Sequence, residues 1–391
     1  MKPASTGRRW VWVILGAGAY GLHLALGKDS ALVENVYSRG FFVGLRRLWD
    51  LTLGRSPVPL IYVLLAAVVL RGVWLVIRLK RSRGVGPEGC RPSHLTPEEY
   101  RSDIYVPTKV GPVPTRIGRA LLIVASWAGA LVFLFYALWG FNYNRVGLEK
   151  QLRLEAAPVD IPELRAEAEG TALALAKTRA SIVGATKAAL PDGVLPHDLE
   201  AAVRSTLAKV LDDAGFPAPG RPRVRPLWPG GLLMRLSSSG FYFPYGGEGY
   251  TARNLTAAEK PFVTAHEMSH AYGITDEGAA NFLGFLACEA APDPAVRYSG
   301  LLSYWEYLFP ALARASAEDA RRLAARLPEA GGVRADLRAA LENWDRFRGP
   351  VRAAAQAVYE RYLKSQGIAE GAKSYDRFVS LVVAWKRRSG Q

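Results

Sequence analysis

The chain has 391 residues, half of them hydrophobic, and carries 50 Lys and Arg against 35 Asp and Glu, a formal net charge of +15. That length accommodates two or three domains, and two cysteines are too few for a disulfide-stapled scaffold. The positive charge invites a nucleic-acid partner, but neither a nucleic-acid motif nor an interleaving of aromatic and basic side chains accompanies it, so none is expected.

Three apolar blocks come first: Trp10–Leu26, Pro59–Leu79 and Ala120–Gly140. They predict transmembrane helices over about 10–27, 59–79 and 119–140, because a bilayer core needs roughly 20 apolar residues. Trp10 and Trp12, with Arg8 and Arg9 before them, suit a membrane interface, and no small-x-small cleavage site follows at Gly27-Lys28-Asp29. Arg71 is the one charge well inside a span; it is expected to snorkel or to meet a partner helix. The loop between the second and third spans, 80–118, is rich in Lys and Arg, including Lys80, Arg81, Arg83, Arg91, Arg101, Lys109 and Arg116. The loop between the first two holds Lys28, Arg39, Arg46, Arg47 and Arg55. The bias puts the N-terminus and loop 80–118 in the cytoplasm, meeting anionic lipid headgroups, and puts everything after Phe141 outside. Residues 1–141 are thus expected to be a membrane domain of a bacterial inner (plasma) membrane protein, and 142–391 an extracytoplasmic domain. Cys90 and Cys288 fall on opposite sides of the bilayer and form no disulfide; Cys288 packs as a small apolar residue.

The outer part reads as α+β with helices dominant. Helices are predicted over 161–189, 196–214, from Pro261 to Gly273, from Asp276 to about Ala290, and over 295–315, 317–327, 335–366 (broken near Pro350) and 374–386. Strands are predicted over 232–236 and within 240–253, joined at Ser237–Ser239 into a small antiparallel sheet with a second turn at Gly246-Gly247.

The helix after Pro261 carries His266-Glu267-Met268-Ser269-His270, an H-E-x-x-H sequence. Residues four apart share a helix face, so both imidazoles can reach one metal ion, and Glu267 can act beside it as a general base. Two residues compete to be the third ligand of a zinc ion, Zn2+. Asp276 follows His270 by six residues across Gly273. Glu277 stands four before Asn281, so that on one helix face Glu277 binds metal and Asn281 orients a ligand histidine. Glu277 is the preferred ligand, because Asn281 then has a role; both carboxylates also suit a helix N-terminus without any metal. Tyr250–Arg253 is the candidate edge strand for an extended substrate, and Tyr242, Tyr245 and Tyr250 are candidates for an oxyanion-stabilising or substrate-contacting hydroxyl, though each also suits ordinary packing. Glu248 is a turn residue or a partner of the site, and His197 a surface residue.

Segments spread along the chain carry a resemblance. They are Val33-Glu34, Tyr37–Gly40, Trp139–Arg145, Gly240–Pro244, Gly247-Glu248, Pro261-Phe262 leading into HEMSHAYG, Asp276–Gly278, Asn281-Phe282, Gly371 and Ser374-Tyr375. In these the chain resembles, over nearly its whole length, a bacterial family of three-span membrane proteins with an outer HExxH domain of unknown function. The resemblance implies a zincin-like, gluzincin-like zinc-peptidase domain without an established substrate. Some members carry a further Glu where this chain has Ala279, which leaves Glu277 as the matching ligand.

The expected activity is zinc-dependent hydrolysis of peptide bonds in envelope proteins or peptides, with Glu267 as the base. The alternative is a catalytically silent, metal-binding membrane scaffold. An intramembrane protease is disfavoured by Glu259, Lys260, Asp276 and Glu277 beside the motif, and a transporter by the small number of spans. Neither the oligomeric state nor the substrate follows from these residues.

Overall fold

The computed structural model describes residues 6–27, 30–83, 116–326, 332–366 and 377–390. Most of loop 80–118 with Cys90, and Gly371, Ser374 and Tyr375, lie outside the described residues. The chain divides into two units, residues 1–18 with 57–133 and residues 19–56 with 134–391.

All three apolar blocks are helical: α1 (Thr6–Leu26), α3 (Leu60–Arg83) and α4 (Arg116–Leu138), with a shorter α2 (Phe42–Leu51) between the first two. Among the described residues, one stretch, Gly118–Leu138, is long and apolar enough to cross a membrane. Within the first unit α1 meets α4 where Gly16 faces Gly129; a Cβ on either would collide with the other helix's backbone. Small residues at such a crossing let two apolar helices approach closely. Large side chains along α3, among them Val63, Val68, Val69 and Leu70, are exposed. Arg71 lies 4.5 Å from the ring centroid of Trp74, three residues on, so its charge is met within its own helix.

The second unit is mostly helical with one small sheet. Besides α2 and a short helix at Leu148–Leu152, its main helices are α5 (Ile161–Ala180), α6 (Leu199–Asp213), α7 (Lys260–Ala271), α8 (Glu277–Glu289), α9 (Pro294–Ala315), α10 (Ala317–Arg326), α11 (Val333–Asp345), α12 (Pro350–Ser365) and α13 (Arg377–Ser389). The helix expected over 161–189 stops at Ala180, and Gly184 takes a positive φ in the turn that follows. The run 335–366 is broken before Pro350, as Gly349-Pro350 suggests.

The sheet departs from expectation in three ways. Strands β1 (Arg223–Leu227), β2 (Gly240–Phe243) and β3 (Glu248–Ala252) lie in the order β1-β3-β2. β2 pairs antiparallel with β3, but β1 pairs parallel with it, so the sheet is mixed and not antiparallel. β1 comes from the proline-rich stretch that reads as a loop. It is tolerated because it is an edge strand, where Pro226 need not donate to a ladder. Residues 232–235 form a single helical turn, not a strand, with Leu233 and Met234 buried. Tyr250–Ala252 therefore lies in the central strand, and the edge beside α7 belongs to β2.

The core gathers around α8, which is buried along nearly its whole length and packs against α6, α7, α9 and α13. Phe282, Leu283 and Phe285 meet Leu207, Leu211, Tyr298, Tyr304 and Phe378 in one cluster. Each such side chain contributes about 1.5–3 kcal/mol by leaving water. Cys288 is buried and free, as its apolar surroundings suggest. Gly284 allows the close approach of α8 to α7: a Cβ there would stand 3.3 Å from the backbone nitrogen of His266.

The end of α7 is clamped from two sides. Gly273 takes φ +86°, Gly273 N–H donates to the His270 carbonyl, and Ile274 N–H donates to that of Ser269. This is the paired closure that a left-handed glycine after a helix permits. The indole of Trp139 also donates to the His270 carbonyl at 2.8 Å, and Arg145 donates to the carbonyl of Gly273 at 3.0 Å. A Cβ on Gly273 would stand 2.9 Å from the Phe42 ring. Gly273→Ala should therefore lower stability by about 1–2 kcal/mol from the left-handed φ alone, with crowding added. A thermal melt showing no loss relative to wild type would refute this account of the turn.

Candidate metal centre

His266 and His270 project from one face of α7, and their Nε2 atoms lie 3.0 Å apart. Glu277, at the start of α8, brings Oε2 to 3.1 Å from His266 Nε2 and 3.5 Å from His270 Nε2. Tetrahedral ligation at about 2.0–2.1 Å puts neighbouring ligand atoms roughly 3.3 Å apart, so these three donors have the spacing of one zinc-sized ion's ligands. All three side chains are largely buried, and among the described residues no other group of three His, Cys, Asp or Glu could hold a metal ion.

The orientation of each imidazole is set from behind. His266 Nδ1 donates to Asn281 Oδ1 at 2.7 Å. His270 Nδ1 donates to the carbonyl of Ile274 at 2.7 Å, a group presented by the Gly273 turn. In both rings the proton is then on Nδ1, and the Nε2 lone pair faces the shared point. Asn281 reaches the site because it lies one helical turn after Glu277 on α8. Two lone pairs and a carboxylate converging in a buried space require a cation between them, either a proton or a metal ion.

The electrostatics agree. Burial opposes the charged form of His270 most strongly, but the Glu277 carboxylate, Glu267 and the Ile274 carbonyl together outweigh it and push the pKa up to about 9. Burial opposes the charge on Glu277 as well, yet His270 and His266 hold it well below the ordinary carboxylate range. Glu267 is pushed up to about 7, mainly by burial, which the two histidines only partly offset. Its carboxylate lies under β2, where a Cβ on Gly240 would stand 2.5 Å from Oε1, and its Oε2 is buried without a hydrogen-bond partner.

The other sequence candidates make the following contacts. Asp276 caps α8, accepting from Ala279 N–H at 2.8 Å and pairing with Arg377 at 3.0 Å, so it is turned away from the histidines. Tyr250 is fully buried and donates to Glu248 at 2.6 Å; Glu248 also pairs with Arg225 across the sheet. Tyr242 packs against Trp139, and Tyr245 against Phe243. His197 is exposed. Two neighbours of the centre are not evident from sequence. Tyr359 on α12 donates to Glu277 Oε1 at 2.5 Å, and the Trp139 ring meets that of His270 edge-on at 6.2 Å. Trp139 lies within a segment that carries the family resemblance; Tyr359 sits on a helix with no motif to mark it. A cleft of ≈ 580 Å³ opens beside the centre, lined by Phe262, Val263, His266, Asn281, Tyr307 and Tyr359 among others.

A family model described as "Protein of unknown function (DUF3810)" matches residues 37–383. The chain belongs to this family. The match takes in Trp139–Arg145, β2, β3, α7 and α8, so His266, His270 and Glu277 all lie inside it. No curated protein and no solved structure matches the chain.

Two expectations follow. In the metal-free protein the raised pKa of His270 adds stability that is fully present below about 6.5 and lost as pH rises through about 9. The same proton competes with metal at Nε2, so apparent zinc affinity should climb about tenfold per pH unit toward pH 9 and then flatten. Competition titration with a chelator from pH 6 to pH 10 reads this directly, and a flat profile would contradict the protonated pair. Separately, Glu277→Gln should abolish tight zinc binding, Asn281→Ala should weaken it by about 10–100-fold, and Asp276→Asn should leave it near wild type. Metal content after dialysis distinguishes them, and zinc lost in Asp276→Asn but kept in Glu277→Gln would reverse the ligand assignment.

Proposed function

We propose that this protein is a membrane-anchored zinc metallopeptidase, with His266, His270 and Glu277 as ligands and Glu267 as general base. The observation that carries this is the convergence of His266 Nε2, His270 Nε2 and Glu277 Oε2 within 3.5 Å of one another, with Glu267 on the same helix. A zinc ion bound there supplies Lewis-acid polarisation of a carbonyl and makes water acidic enough to be a nucleophile near neutral pH. Glu267 takes up the water's proton on its carboxylate as the scissile carbonyl is attacked, then delivers it to the leaving amine. In the metal-free protein burial raises the Glu267 pKa to about 7, the direction that suits a group that first accepts a proton and then returns it. Asn281 and the Ile274 carbonyl hold the two imidazoles in the tautomer that ligates.

A peptide substrate is favoured by the sheet. Among the described residues no strand pairs with the outer edge of β2, and Gly240 of that strand lies against Glu267. An extended peptide added to this edge places its backbone carbonyls beside the base, and main-chain pairing of this kind tolerates many side chains. Tyr359 lines the adjacent cleft with its hydroxyl already at the centre, which makes it a better candidate than Tyr242, Tyr245 or Tyr250 for steadying charge on a carbonyl oxygen.

Three spans with residues 142–391 outside the cytoplasm of a bacterial inner membrane complete the proposal. Its support is the apolar length of Gly118–Leu138, the exposed apolar side chains of α3 and the basic content of loop 80–118. Proteins or peptides of the cell envelope are then the substrate class.

The test is Glu267→Gln. It should bind zinc like the wild type and lose about 10²–10⁴-fold in cleavage of a peptide library. Full activity in that variant would sink the mechanism. Zinc bound stoichiometrically by a wild-type protein that cleaves nothing would favour a silent metal-binding scaffold instead.

A further inference from the structure

We propose that the helical segment running from Val33 through α2 lies on the membrane surface and seats the metal-centre unit on lipid. This concerns an interaction surface; it rests on the membrane-anchored reading above and does not depend on zinc chemistry. The segment starts as a π-helical turn, Val33–Phe41, and continues without a break into Phe42–Leu51. One face is built into the unit: Val33, Glu34, Ser38, Phe42, Arg46 and Trp49 are buried. The opposite face is not polar. Leu32, Val36, Phe41, Leu48 and Leu51 are between 55% and 61% exposed, and Gly40 and Gly44 between them are small.

Five large apolar side chains on one exposed helix face cost free energy in water, roughly 25 cal/mol for each Å² left wet. A lipid interface removes that cost, and three observations select it over another occupant. First, the chain enters and leaves the segment from apolar helices. α1 ends at Leu26 with Leu22 and Leu24 exposed, and α3 begins at Leu60, only a few residues after Arg55, with a run of exposed apolar side chains. A segment joined so closely at both ends to helices that the proposed function reads as spans is held near the interface. Second, Asn35, Arg47 and Arg55 are exposed, while Arg39 pairs with Glu34 at 2.9 Å. Basic and polar groups beside an apolar stripe are the arrangement of helices that lie in the headgroup region, with cations toward anionic phosphates. Third, the segment is short of polar cover but rigidly held. Arg145 pairs with Glu34 at 2.9 Å, and Arg46 donates to the Gly247 carbonyl at 2.5 Å.

Those anchors have a functional direction. Phe42 packs on Gly273 at the end of α7, and Trp49 packs on Gly247 in the β2–β3 turn. The surface helix thus grips both the helix that carries the histidines and the hairpin that carries the free sheet edge. With its other face on lipid, the segment would hold both elements close to the interface. The partner chemistry is a bilayer surface, and any chain segment presented to the cleft lies close to the membrane.

Nitroxide scanning of the full-length protein in nanodiscs of phosphatidylcholine and phosphatidylglycerol tests this. In a Cys90→Ser background, with Cys288 buried, single cysteines replace Leu32, Val36, Phe41, Leu48, Leu51, Asn35 and Arg47. Collision with oxygen should exceed collision with a nickel chelate at the five apolar positions, and the order should invert at Asn35 and Arg47. Nickel access at the apolar positions would show them in water. Shielding from both reagents would show a protein partner or a second copy. Either result overturns the proposal. A bilayer-resident diazirine lipid photolysed with the unaltered protein supplies a reading free of substitutions: adducts are expected between residues 32 and 51 as well as on α4. Adducts on α4 alone would also overturn the proposal.

Discussion

The hydrogen bond from His270 Nδ1 to the carbonyl of Ile274 is the constraint on which the centre depends. That carbonyl reaches the imidazole because Gly273 turns the chain back through a left-handed φ. A helix continuing past Tyr272 would carry Ile274 onward and leave the ring free to rotate. The turn is in turn enclosed by Phe42, Trp139, Asn142 and Arg145. Those side chains are distant in sequence from the histidines, yet they hold in place the carbonyl that accepts the His270 Nδ1 proton. One backbone conformation therefore couples the packing of the unit to the chemistry of a donor atom.

α8 performs the matching task for His266. Its first residue supplies the carboxylate and its fifth supplies the amide that orients the ring. Asp276 makes both possible by capping the helix, since a frayed first turn would not hold Glu277 in place. Asp276 and Glu277 are adjacent carboxylates with unlike tasks, and local geometry separates them. The N-cap residue points back at its own helix, whereas the first helical residue projects sideways onto α7. Tyr359 then occupies the second oxygen of Glu277, which leaves Oε2 directed at the histidines.

Much of this was legible in the sequence because it depends on short-range rules. The i, i+4 pairs His266/His270 and Glu277/Asn281 fix faces of helices. Pro261 and Gly273 mark the limits of α7, and Gly349-Pro350 marks a break. What was not legible depends on pairing between distant segments. β1 lies in a proline-rich stretch whose only qualification as a strand is an available edge on β3. Exchanging an expected edge strand for a central one follows from that single addition, and it moves the free edge from β3 to β2. Residues 232–236 alternate poorly enough to fit either a strand or a turn of helix, and packing of Leu233 and Met234 decides for the helix. Tyr359 could not be found from sequence, because nothing local distinguishes a tyrosine on an exposed helix from one that reaches a carboxylate.

The placement of the centre also bears on what metal does for the fold. In small zinc domains the ion supplies folding free energy because there is little core. Here α8 is enclosed by α6, α7, α9 and α13, and the cluster around Phe282, Phe285 and Tyr304 needs no ion to form. Within the centre, a proton on His270 already balances Glu277, so that the buried charges are paired before metal arrives. A metal ion bound there, as proposed, would replace that proton without rebuilding the backbone. The three donors are thus held together by packing before any ion arrives, and under the proposed function an ion's coordination energy would be left for binding and for polarising substrate. The same rigidity would let the surface helix transmit a fixed height and orientation to the cleft, because Phe42 and Trp49 contact the two elements that define it.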